Sequence, residues 1–203
     1  MSGTLYIISA ASGTGKTSLV NALIKSFIKI KLSVSYTTRP NRSGEKDGVD
    51  YHFVTQKQFD KMKEEKEFLE YATVFGKNYA TSKTQIEENL KAGIDVILEI
   101  DWQGAQQVRK LIPNTIGIFI LPPSKEALKQ RILNRNQDDS AVINQRLKAA
   151  SDEISHYTEY EYLIVNDDFN TALSELKAIV LSQLCRQTAQ SVKLEELLTN
   201  LIN

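Results

Sequence analysis

The run Ser9–Ser18, SAASGTGKTS, closes on Gly15-Lys16-Thr17, the end of the phosphate-loop pattern G-x-x-x-x-G-K-[ST], with Ala10 where the first glycine belongs. Such a loop must curl so that successive N–H groups converge on phosphate oxygens, with the positive end of a helix behind them. Gly13 and Gly15 supply the backbone freedom, Lys16 would reach the β- and γ-phosphates, and the Thr17 hydroxyl would ligate Mg²⁺. A glycine-rich turn carrying a surface lysine is the alternative, but an apolar strand enters here and an amphipathic helix leaves. Ala10 fits as a strand-end residue with negative φ, provided Gly13 and Gly15 do the bending. A second group sits in DVILEIDWQG, where Glu99 and Asp101 end another apolar run. Their i, i+2 spacing places both on one side of a strand. If that strand flanks the first, an acid there can hold Mg²⁺ or its water shell. Solvated strand-end carboxylates are the alternative; two such motifs in this order favour nucleotide binding.

The elements that must position these groups follow from periodicity. Leu5–Ala10, Asp95–Asp101, Thr115–Leu121 and Tyr162–Val165 are continuous apolar runs, as expected of parallel strands covered by helices on both faces. Between them, helical spacing marks Gly15–Ile28, Ser82–Ala92 with Ser82 and Gln85 spaced as a capping box, Gln103–Leu111, and a last helix from about Thr171. Two stretches break the rhythm. Residues 34–81 alternate in short runs (VDYHFV, FLEYATVF) around one polar helix near Gln56–Glu65, a small mixed β insertion. Residues 124–156 are polar and helical, with Ser124 as N-cap. The expected fold is α/β: a P-loop parallel sheet core (1–33, 82–123 and 157–203), a mixed β lobe (34–81) and a helical lid (124–156).

Composition narrows the function classes. Lys+Arg and Asp+Glu are both 25, so no net field points to nucleic acid, and an anion site must be a local cluster of arginines. One cysteine, Cys185, permits no internal disulfide and suits a reducing cytosol; two histidines, His52 and His156, leave little for a His/Cys metal site. No apolar run approaches a membrane span and the N-terminus does not read as a signal peptide, so a cytoplasmic protein is expected.

SYTTRPNRSGEKDGVDY at residues 35–51, together with ASGTGKTS, NYATS, EIDWQG and YLIVNDD, closely resembles the guanylate kinases, particularly bacterial ones. The likeness runs from the first strand to Asp168. Ala10-Ala11 stands where many members carry Gly-Pro, and Ala80 where glycine is usual. The resemblance implies that ATP lies on the loop from Ala11 and Ser12 through Gly13, Thr14, Gly15, Lys16 and Thr17 to Ser18, with Asn166 and Asp167 near its adenine. It implies that Arg39, Arg42, Tyr51 and Tyr79 clamp the phosphate of GMP, arginine forks and phenol donors both suiting phosphate oxygens. Glu70 and Asp101 would take the guanine N–H donors, with Ser35 and Thr81 completing the base contacts. Arg135 and Arg146, helped by Arg131, would neutralise the migrating phosphoryl group. Thr17 and Glu99, the latter through water, would hold Mg²⁺.

The resulting expectation is transfer of the ATP γ-phosphoryl to GMP, with dGMP tolerance and assembly into a homo-oligomer left open. A kinase of other base specificity, or a non-catalytic guanylate-kinase-like binding module, is the alternative. The intact Lys16, Thr17 and arginines weigh against the module.

Overall fold

The computed structural model describes residues 3–135 and 140–203; of residues 135 and 140–146 it describes the backbone alone. In chain order the strands are β1 Leu5–Ala10, β2 Ile30–Leu32, β3 Tyr36–Thr37, β4 His52–Phe53, β5 Phe68–Val74, β6 Lys77–Ser82, β7 Asp95–Glu99, β8 Ile116–Leu121 and β9 Tyr162–Val165. The helices are α1 Lys16–Ile24, α2 Gln56–Glu64, α3 Lys83–Lys91, α4 Trp102–Leu111, α5 Lys125–Arg135, α6 Ser140–Ser155, α7 Phe169–Leu184, α8 Gln187–Lys193 and α9 Glu195–Ile202.

β1 is apolar at every step except Ser9 because both of its faces are buried. Tyr6 and Ile8 point to a cluster with Leu19, Val20 and Leu23 of α1 and Leu176 and Val180 of α7. Leu5 and Ile7 point the other way, onto Ile86 of α3 and Ala105 and Val108 of α4. Each such side chain, fully removed from water, contributes about 1.5–3 kcal/mol. The strands form a five-stranded sheet in the order β2-β7-β1-β8-β9, all its pairs parallel. β1 therefore lies between β7 and β8, and its C-terminal end opens onto the tips of both. β3, β4, β5 and β6 make a separate mixed sheet in the order β4-β3-β6-β5. α5 and α6 dock on the loop after β1 through Leu128, Ile132 and Ala150 packed against Ala11.

Several boundaries differ from the sequence-based reading. α1 stops at Ile24 rather than Ile28, and Ile28 is fully exposed, with nothing to pack against. The short edge strand β2, three residues long, carries too little pattern to be recognised beforehand. Ser82 caps α3 by accepting from the Gln85 amide at 3.4 Å, but the reciprocal half of the expected capping box is not formed. Ser82 is also the last residue of β6, paired with Phe68. A complete box forms instead at Thr55 and Gln58 of α2. The tail divides into α7, α8 and α9, with Cys185 exposed at the end of α7.

Candidate active site

A cleft of about 270 Å³ opens where the C-terminal ends of β1 and β7 face the second sheet. Its floor is the loop from Ala10 to Thr17. Gly13 and Gly15 hold φ of 93° and 89°, values that L side chains rarely adopt. A Cβ on Gly15 would collide with the Asn166 amide at 2.6 Å, and one on Gly13 would press on Ile132 at 3.1 Å. Ala10 ends β1 without positive φ, as the loop reading requires. Ala80 is a fully buried strand residue, and its position likewise needs no glycine. The first turn of α1 has no side-chain cap and no acidic residue, so its amides face the cleft available to an anion.

Among the described residues lining the cleft, Lys16 is the one cation. Its Nζ lies 3.9 Å from Glu99 Oε1, and the Thr17 hydroxyl donates to the same oxygen. Glu99 and Thr17 thus meet as the sequence predicts, β7 being the direct neighbour of β1. Asp101 departs from its expected place on the strand. β7 ends at Glu99, and Asp101 instead caps α4, accepting from the Gly104 amide at 2.9 Å. A short acid at the first helical turn is a strong N-cap, and this overrides the strand spacing. Asp101 still lines the cleft.

Opposite the loop stand Ser35, Tyr51, Tyr79 and Glu70. The Tyr51 and Tyr79 rings meet edge to face, 6.0 Å apart. Burial, then the charge of Glu99, pushes the Tyr51 phenol up, which keeps it a donor. Glu70 is 3% exposed and accepts from the Thr81 hydroxyl. Burial raises its carboxyl to about 7; the Thr81 bond opposes this and the Asp101 charge adds to it. Thr81 is fully buried, and its hydroxyl serves the carboxylate rather than lining the cleft.

The expected arginines are distributed unevenly. Arg39 reaches over the Tyr51 ring at 5.2 Å and pairs with Glu45 at 2.7 Å. Arg42 is exposed, with its backbone amide donating to the same Glu45 carboxylate. Arg131 extends from α5 to the Asn166 carbonyl at 2.9 Å and the Thr14 carbonyl at 3.4 Å. The Asn166 amide is buried and donates to Thr14 O at 2.6 Å, so this residue braces the loop from below. Asp167 and Ser18 are exposed and lie outside the cleft lining. The side chains of Arg135 and Arg146 lie outside the described residues.

Three contributors escaped the sequence reading. Glu45, in the turn-rich RSGEKDG, gives no periodic signal. Glu153 of α6 lines the cleft and accepts from the Ser12 amide at 3.1 Å. Gly104 leaves room for Glu70, since a Cβ there would stand 2.4 Å from Glu70 Oε2.

Residues 2–183 match the family model for guanylate kinase. The chain belongs to the guanylate kinase family. It is 56% identical to the guanylate kinase of Saccharophagus degradans over 201 residues, 99% of this chain and 98% of that one. It is 50% identical to the guanylate kinase of Coxiella burnetii, covering 98% and 96% of the two chains. The crystal structure of guanylate kinase from Anaplasma phagocytophilum superposes with a TM-score of 0.78 at 34% identity, over 92% of this chain and 88% of that one. The fold expected from the resemblance is the one observed.

Proposed function

We propose that this chain is an ATP:GMP phosphotransferase, moving the γ-phosphoryl of ATP to GMP to give ADP and GDP. One observation carries the reading: a phosphate loop and a buried carboxylate suited to guanine face each other across a single cleft. Residues 34–81 serve as the GMP lobe, 124–156 as the lid, and the rest as the core. The acceptor is a phosphate oxygen already ionised near neutral pH, so no general base is needed, and alignment and charge stabilisation carry the rate. Lys16 and the loop amides hold the donor phosphates. Arg39 and Arg42, with Tyr51 and Tyr79, hold the acceptor phosphate, Arg39 exchanging Glu45 for it. Arg131, Arg135 and Arg146 are assigned to the lid side of the migrating group. Thr17 and Glu99 offer adjacent hard oxygen donors that fit Mg²⁺, whose chemistry here is to neutralise charge on the β- and γ-phosphates.

Guanine presents N–H donors at N1 and N2 that Glu70 and Asp101 can accept; adenine offers a different edge and would leave both acids unpaired. Among the described residues no helix is long and apolar enough to cross a membrane, and a cytoplasmic setting suits a nucleotide-dependent enzyme whose one cysteine is free. A coupled ADP-release assay with ATP and each of GMP, dGMP, AMP, CMP, UMP and dTMP tests the proposal. ADP production with GMP but not with AMP or the pyrimidine nucleotides is expected, and none with any acceptor would refute it.

Gly104→Ala is expected to weaken GMP about tenfold, because the new methyl must displace a carboxylate held by Thr81. Binding of a non-hydrolysable ATP analogue should stay at the wild-type level, and calorimetry on both ligands checks the contrast.

A further inference from the structure

Helix α4 touches both segments inserted into the core. Toward the second sheet, the Gln107 side chain clasps the backbone of Tyr71, donating to its carbonyl at 2.7 Å and accepting from its amide at 3.2 Å. Tyr71 follows Glu70 on β5, and Gly104, one turn before Gln107, lies against the Glu70 carboxylate. Along another stripe of the same helix, Trp102, Gln106 and Arg109 hold the turn that follows α6. The His156 ring stacks on Trp102 with centroids 3.7 Å apart and planes at 9°. His156 Nδ1 meets Glu159 at 2.6 Å. Gln106 Nε2 donates to both oxygens of Glu159 at 3.0 Å, and Arg109 lies 3.8 Å from it. Just before this turn, Ile154 packs against both the main core and the cluster beneath the phosphate loop.

We propose that α4 couples the acceptor pocket to the lid, and that His156 is the positioning residue through which the coupling passes. The inference rests on the assignment of residues 34–81 to GMP and of α6 to the lid. A base held between Glu70 and Asp101 bears on the first turn of α4, at the Asp101 cap and at Gly104. Side chains on one helix cannot shift independently, so a displacement of that turn moves Trp102. The stacked imidazole moves with the indole, and Glu159 ties that ring to the rest of the turn. The foot of α6 then follows, and with it Glu153 at the mouth of the phosphate loop. His156 does not line the cleft, so it acts through its neighbours rather than on substrate.

The test measures the GMP Kd of the full chain with and without a saturating non-hydrolysable ATP analogue, in wild type, His156→Ala and His156→Phe. In wild type the analogue should tighten GMP by about fivefold or more. His156→Ala should bring that ratio close to one while leaving the GMP Kd measured alone unchanged. His156→Phe, which keeps an aromatic plane on Trp102, should restore most of the ratio. Trp102 is the only tryptophan and lies upstream of His156, so a GMP-induced change in its emission should appear in wild type and in both variants, while the ratio falls only in His156→Ala. The proposal is overturned by an unchanged ratio in His156→Ala, by no coupling in wild type, or by equal losses in the ratio and in GMP affinity alone. Failure of wild type to bind GMP at all would instead count against the acceptor assignment.

Discussion

Lys16→Ala is expected to lower turnover about 10³-fold while leaving GMP affinity within about twofold of wild type. Among the described residues its ammonium is the only cation lining the cleft, and it stands at the uncapped start of α1 where the donor phosphates must lie. Charge that shifts toward the β–γ bridge as the phosphoryl departs has no other fixed cation beside it on the loop. The loop amides remain in the variant, so nucleotide binding should weaken less than turnover falls. That split separates the assigned role from a loop that has simply lost its shape. Steady-state ADP release and calorimetric Kd values for both nucleotides give the measurement. Near-normal turnover would show that phosphoryl transfer does not occur over this loop.

The second large effect concerns Glu70. Glu70→Gln is expected to reduce kcat/KM for GMP about 10²-fold, because a charged acceptor buried opposite two N–H donors becomes an amide that can turn a donor toward them. A pH signature accompanies it. The folded-state pKa of about 7 lies above the ordinary 4.5, so without ligand the folded chain retains a proton that the unfolded chain releases. The stability contributed by this group is therefore fully present below about pH 4.5 and is lost as pH rises through about 7. GMP demands the carboxylate, so binding below pH 7 must expel that proton, and affinity should climb by up to about tenfold per pH unit there before levelling off. In Glu70→Gln this component of the profile should be missing, the phosphate of GMP titrating equally in both proteins. A variant that used GMP as well as wild type would remove Glu70 from base recognition.

Much of this was legible beforehand because the relevant signals are local. A parallel strand covered on both faces is mostly apolar, so the central β1, β7 and β8 stand out as runs, and the edge strand β9 does so although Leu163 and Val165 are exposed. The glycines, Lys16 and Thr17 declare themselves by spacing alone. What escaped depends on contacts between distant segments. Nothing in Gly104 announces a carboxylate 34 positions earlier in the chain, and Glu45 is one acid among several in a turn. The resemblance puts Asn166 near the adenine of ATP, but no spacing in the chain shows that its side-chain amide also donates to Thr14 O beneath the loop. Asp101 was assigned the right neighbourhood by the wrong route. Strand alternation placed it, but helix capping holds it.

The double anchoring of Thr14 carries a consequence for affinity. Its carbonyl receives the Asn166 amide from the end of β9 and the Arg131 guanidinium from α5. A peptide plane held by its oxygen also has its N–H fixed, pointing the opposite way. The direction of the Gly15 amide is thus settled when the chain folds, by bonds already present without the nucleotide. A flexible glycine-rich loop would have to surrender its conformational entropy at each binding event, about 1–2 kcal/mol per residue fixed. Here that loss is largely incurred once, on folding, and each arriving phosphate encounters a Gly15 amide whose direction is already set.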